Sequence, residues 1–158
     1  MCFTTEQVND DDDVLPFFVY GTLRRDQTNY HLLRGRVADE FAAYIEDYQL
    51  FSLGEVPMAI HREHCLVPTG DVLTVQGELI YPEPYRYTFI MELLDRLEGY
   101  APDAPDDSPY WRVQQTVQLH RGGQVNAWFY QGNPRYLEPW HMPIPGGDWA
   151  APRRVLQY

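Results

Sequence analysis

Apolar and polar positions change their period several times along this chain, and the changes mark out its elements. Pro16-Phe17-Phe18-Val19-Tyr20 is an unbroken apolar, aromatic run between an acidic stretch and a glycine, which suits a buried strand. The chain then turns through Gly21-Thr22-Leu23-Arg24-Arg25, and a short helical or turn segment is expected around Asn29 to Leu33. Phe41 to Leu53 sets Tyr44, Tyr48, Leu50 and Phe51 among polar residues, compatible with one long strand or two short ones. Pro57 interrupts, and His61 to Pro68 reads as loop. Alternation returns over Val72 to Tyr81. There Leu73, Val75, Gly77, Leu79 and Tyr81 share a face expected to be core, with Thr74, Gln76 and Glu78 on the other.

Residues 85 to 98 switch to helical spacing, with Phe89, Leu93, Leu94 and Leu97 on one stripe and Gly99 placed as the stop. Ala101 to Pro109 is acidic, proline-rich loop. Val113 to His120 and Gln124 to Tyr130 form a predicted hairpin joined through Arg121-Gly122-Gly123. From Gly132 onward prolines and glycines accumulate around Trp140 and Trp149, reading as irregular structure laid over the core. Five or more strands beside one convincing helix predict an α+β fold, a small mixed β-barrel with helical elements at its flank, and argue against a doubly wound sheet.

At 158 residues the chain is long enough for one domain with a real core. Residues 1–15 read as a disordered acidic arm, because Asp10 to Asp13 repel one another, and 16–158 as a single domain with an irregular tail. The arm lacks the alternating acids, central glycine and closing glutamate of a calcium loop. All 12 basic residues are Arg, so Schiff-base and phosphate-loop lysines are excluded. A net charge of -11 argues against nucleic acid or an anionic membrane as partner. The only cysteines, Cys2 and Cys65, are too few for a disulfide framework. No apolar run reaches membrane-spanning length and no secretory signal is evident, so a cytoplasmic location is expected by default.

Two places carry candidate chemistry. Glu98 falls in the last turn of the predicted helix, where the backbone dipole disfavours a carboxylate. Partial burial among Leu94, Leu97 and Tyr100 would raise its pKa further and make it a better general base near neutral pH. The pattern alone leaves open an ordinary solvent-facing glutamate before a capping glycine. At Tyr20-Gly21-Thr22-Leu23, the glycine permits a sharp bend after which successive amides can hold an anion; an ordinary strand-to-loop turn is equally compatible. His61, His64 and Cys65 match no common zinc spacing, and His31, His120 and His141 are isolated. No metal site or cofactor is expected.

In order along the chain come an aromatic-Gly-Thr-Leu turn after the first strand, Leu94-Asp95-Arg96-Leu97-Glu98-Gly99 at a helix end, Tyr110-x-Arg112 opening a strand and Ala127-x-x-Tyr130 closing another. The ordered set, from Phe17 to Tyr130, resembles the gamma-glutamylcyclotransferase-like family, which includes gamma-glutamylamine cyclotransferase-like proteins. The resemblance implies a compact barrel whose cavity binds a gamma-glutamyl group. It also implies a reaction in which the free α-amine attacks the γ-carbonyl, giving 5-oxoproline and a released amine without metal or cofactor. The family's catalytic glutamate maps onto Glu98 as general base and then acid. Its substrate loop maps onto Tyr20, Gly21, Thr22 and Leu23, whose amides would grip the α-carboxylate. Tyr110 and Tyr130 resemble cavity-lining positions whose hydroxyls would orient Glu98 or the substrate; as residues alone they also suit a core. The expected partner is a small gamma-glutamyl substrate. The leaving amine and oligomeric state stay open, as does a noncatalytic binding domain on the same fold.

Overall fold

The structure, a computed structural model, describes residues 14–68 and 70–150. The expected acidic arm lies outside the described residues except for Val14 and Leu15, as does the end of the tail beyond 150.

Five strands close into a barrel in the order β1 (Phe17–Val19), β5 (Thr74–Pro82), β2 (Val37–Glu46), β6 (Tyr110–Leu119) and β7 (Gln124–Gly132). Neighbours pair antiparallel, except that β1 meets β7 parallel, Phe17 opposite Trp128, and this contact closes the barrel. A second sheet sets β3 (Tyr48–Ser52) between β4 (Pro57–His61) and the two-residue β8 (Met142–Pro143). One α-helix, α1 (Tyr87–Glu98), flanks the barrel among the described residues, entered through a short 3-10 turn at Pro84–Arg86. The α+β mixed-barrel fold is as expected.

Both faces of β1 are buried, as an unbroken apolar run requires. Phe18 points into a core with Leu79, Phe129 and Trp149, while Phe17 and Val19 join Ile80, Ile90 and Leu94 of the layer beneath α1. Val75, Gly77 and Leu79 are buried on the face that alternation picks out. Ile80 is buried on the opposite face, because α1 covers the strand's second half.

Of the two alternatives for Phe41 to Leu53, the structure has two strands, broken at Asp47 with φ of 71°. Other expectations are corrected. Pro57 opens a strand instead of interrupting one; at the first strand position proline's missing N–H costs little. The helical stripe is also different. Phe89 is 45% exposed, and the buried side of α1 is Ile90 and Leu94, flanked by half-buried Tyr87, Met91 and Glu98. These positions recur at three and four residues, so the carboxylate of Glu98 continues the helix's inward face. The helix begins at Tyr87, not 85, and β6 begins at Tyr110, not Val113.

The tail is irregular but anchored. It pairs through β8 with β3 and brings in Trp149, only 4% exposed in the barrel core, whereas Trp140 is 70% exposed. No helix among the described residues is long and apolar enough to cross a membrane.

Candidate active site

Gly99 ends α1 in the left-handed region, φ 70°, which glycine adopts without a Cβ clash. The Gly99 amide donates to the Arg96 carbonyl at 3.2 Å and the Tyr100 amide to the Asp95 carbonyl at 2.8 Å, the two bonds of a Schellman cap. The helix therefore stops at Glu98, with that side chain held at its inward corner.

Asp95, one turn earlier, fastens this corner to the barrel. Its Oδ1 accepts from the Tyr130 hydroxyl at 2.5 Å and from Arg112 Nε at 2.9 Å. Arg112 and Tyr130 stand directly opposite each other on β6 and β7, so strand register brings both to one carboxylate. The Arg112 guanidinium also lies over the Trp128 ring at 4.7 Å and the Tyr100 ring at 5.5 Å.

On the far side, the chain leaves β1 through a turn closed by the Arg24 amide donating to the Gly21 carbonyl at 3.0 Å. Asn29 braces it, its amide donating to the Thr22 carbonyl at 2.8 Å and its Nδ2 to Thr22 Oγ1 at 2.9 Å. A Cβ at Gly21 would come within 2.8 Å of Pro57 Cγ, so only glycine lets the turn lie against β4. Arg24 ties the turn down from behind, with Nε on Glu78 at 2.7 Å and Nη1 on Asp148 at 2.6 Å. Glu78 Oε1 in turn accepts the Arg25 amide at 3.0 Å. Among the described residues the amides of Gly21, Thr22 and Leu23 donate to no other group of the chain.

The turn and the helix corner face each other across one cavity of about 280 Å³. Tyr20, Gly21, Thr22, Leu23, Glu98, Tyr110 and Tyr130, all named from sequence, line it together. The hydroxyls of Tyr110 and Tyr130, expected to orient Glu98 or the substrate, donate to groups other than Glu98, as does that of Tyr20. Tyr20 donates to the Tyr130 carbonyl at 2.6 Å and Tyr110 to the Pro57 carbonyl at 2.7 Å, while Tyr130 serves Asp95. Tyr20 also accepts the Ala59 amide at 3.3 Å, so it and Tyr110 staple β4 to the barrel.

Burial pushes the Glu98 carboxyl from 4.5 up to about 7. Burial also holds the hydroxyls of Tyr20, Tyr110 and Tyr130 well above the ordinary tyrosine range, with the Asp95 bond adding to the effect at Tyr130. These phenols stay protonated near neutral pH, whereas Glu98 can both take and return a proton there.

Asp95, Arg112, Asn29, Pro57 and the Arg24–Glu78–Asp148 group belong to the site's framework and were not singled out from sequence. For Asp95 and Arg112 a signal existed, since both lie inside the ordered motifs. His61, His64 and Cys65 hold no common centre: His61 Nδ1 accepts the Glu63 amide at 3.2 Å, and the Cys65 thiol faces the carbonyls of Ile60 and His61. Among the described residues no three His, Cys, Asp or Glu groups converge to hold a metal.

Comparison with solved structures finds the same architecture. An aig2-like protein from Mus musculus superposes with a TM-score of 0.58 at 22% identity, covering 89% of this chain and 97% of that one. YkqA from Bacillus subtilis gives 0.57 at 23% identity over 85% of this chain, which spans only 39% of the Bacillus protein. The protein PH0828 from Pyrococcus horikoshii gives 0.54 at 19% identity, covering 85% and 89%. At such identities the likeness is one of fold. Comparison with curated proteins gives no match. The family model described as "Gamma-glutamyl cyclotransferase, AIG2-like" matches residues 17–151, and the chain belongs to that family.

Proposed function

We propose that the protein is a gamma-glutamyl cyclotransferase acting on a gamma-glutamyl amide or gamma-glutamyl amino acid, with Glu98 as its acid and base. The observation that carries the reading is Glu98 itself: an inward-facing carboxylate, brought by burial to about 7, across one cavity from the Gly21–Leu23 amides.

The substrate's α-carboxylate would sit on those amides, an arrangement of donors suited to an anion. That grip leaves the α-ammonium and γ-carbonyl toward Glu98. The ionised carboxylate takes a proton from the ammonium, and the freed nitrogen attacks the γ-carbon. As the bond to the leaving amine breaks, Glu98 hands the proton to that nitrogen, and the extra proton that the ring nitrogen carries after attack passes through the same carboxylate, so the amine departs as the ammonium. Ring nitrogen, carbonyl and leaving amine account for every atom, so 5-oxoproline and free amine form without consuming water. Because both reacting groups belong to one molecule, holding the folded conformer contributes several kcal/mol. The backbone donors stabilise charge without moving.

The test is mass spectrometry on the wild-type protein incubated with gamma-glutamyl amino acids and amines. Equimolar 5-oxoproline and free amine are expected. Saturable binding of the same compounds with no product would instead favour a noncatalytic binding domain.

A further inference from the structure

The turn that presents the Gly21–Leu23 amides is held locally by Asn29, by its own Gly21–Arg24 bond and by Pro57 against Gly21. A further hold comes from the tail, through Asp148 on Arg24, 124 residues apart.

Glu78 alone does not fix the Arg24 guanidinium. Its two oxygens are divided, Oε2 taking Arg24 Nε at 2.7 Å and Oε1 the Arg25 amide at 3.0 Å. Arg24 Nη1 reaches the Gln76 carbonyl only at 3.4 Å but Asp148 Oδ1 at 2.6 Å. Carboxylates at two different nitrogens set the plane of the guanidinium, which a single one leaves free to swing. The Arg24 side chain is 12% exposed, so these bonds are screened less than surface pairs.

Asp148 is itself closely placed. The Ile144 amide donates to the Leu50 carbonyl at 2.8 Å and the Gly147 amide to the Ile144 carbonyl at 3.0 Å. Gly147 has φ of 66°, and a Cβ there would lie 1.8 Å from the Thr74 carbonyl oxygen, so the tail passes β5 at a distance only glycine allows. Asp148 Oδ1 also accepts the Ala150 amide at 3.0 Å. Trp149 is buried in the core cluster that holds Phe18 and Tyr20, which lead into the turn.

We propose that Asp148 is a positioning residue for the substrate: through Arg24 the tail fixes the turn whose amides receive the α-carboxylate. The inference rests on the proposed use of those amides. Backbone donors cannot be re-aimed by a change of rotamer, so their grip follows the placement of the turn. Asp148 touches no reacting atom, and its loss weakens the hold on the carboxylate while sparing the proton transfers at Glu98.

The experiment compares the wild type with Asp148→Asn, which keeps an oxygen for the Ala150 amide. Both are assayed on the gamma-glutamyl compound turned over fastest in the assay above, and on its analogue with the glutamyl α-carboxylate replaced by a carboxamide, which offers the turn no anion. Rates are followed by the released amine. For the carboxylate compound Asp148→Asn is expected to raise KM roughly three- to tenfold, with kcat and its pH profile unchanged. For the carboxamide, kcat/KM should stay close to that of the wild type. In an Arg24→Met background the same replacement should change KM no further, because Asp148 acts through that guanidinium. A KM unmoved by Asp148→Asn, with or without a fall in Tm, an equal loss on both compounds, or a loss undiminished beside Arg24→Met would overturn the positioning role and leave the cyclotransferase reading standing. No turnover of any gamma-glutamyl compound by the wild type would reject that reading and the positioning role with it.

Discussion

Replacing Glu98 with Gln should make the protein more stable above neutral pH while abolishing its chemistry. The folded protein binds the Glu98 proton more tightly than the unfolded chain, since burial moves the carboxyl from 4.5 to about 7. Stability from that proton is complete below about pH 4.5 and is lost as pH rises through about 7. The full shift corresponds to about 3 kcal/mol; because the carboxylate borders an open cavity, solvent screening lowers this to roughly 2–3 kcal/mol. In a protein of this size that is a Tm difference of roughly 5–10 °C. Glutamine is neutral throughout, so Glu98→Gln lacks this loss. Thermal melts of both proteins should therefore show a Tm difference that widens by that amount from pH 4.5 to pH 8.5, the variant being the more stable. Other titrating groups are common to both and cancel. A Tm difference that stays constant across the range would refute the buried, near-neutral carboxyl on which the mechanism depends.

Tyr130→Phe removes the hydroxyl that Asp95 accepts at 2.5 Å. It should cost about 1.5–3 kcal/mol in denaturant melts, as bonds to charged groups do, and lower kcat by loosening the helix corner. Gly21→Ala places a methyl 2.8 Å from Pro57 Cγ. About 1–3 kcal/mol of destabilisation and a raised KM are expected from melts and initial rates. Arg24→Met cuts the ties to Glu78 and Asp148 behind the turn. A KM increase of roughly tenfold, with the pH profile of kcat unmoved, is its expected kinetic signature.

Much of the fold was legible because its strands obey simple rules. The apolar run of β1 and the alternation of β5 reflect burial on both faces or one, and the Gly122-Gly123 hairpin follows from turn chemistry. The side of α1 that faces the barrel was not legible, for a functional reason. A pattern reader counts Glu98 as a solvent marker and Phe89 and Leu97 as core, which rotates the stripe away from Ile90, Met91 and Glu98. Here the carboxylate points inward and Leu97 lines the cavity, so the residue proposed to act is the one that breaks the pattern. Strand β4 was hidden by Pro57, whose absent N–H is harmless at a strand's first position and whose carbonyl receives Tyr110. Asp95 could be noticed in its motif. Its partners, 17 and 35 residues away, are set by β6–β7 register, which short-range spacing does not encode. The same holds for the parallel closure of β1 on β7 and for Trp149, whose place in the barrel core no local period predicts.

The most direct measurement is the pH dependence of kcat/KM for 5-oxoproline formation by the wild-type protein and Glu98→Gln. The account predicts a wild-type acid limb that falls tenfold per pH unit below about 7, because the free enzyme must hold Glu98 ionised to accept the ammonium proton. It predicts at least a 10²-fold loss in Glu98→Gln, with that limb gone from any residual rate. A wild-type rate flat between pH 5 and 8, or a variant that keeps both rate and limb, would contradict Glu98 as the acid and base of this site.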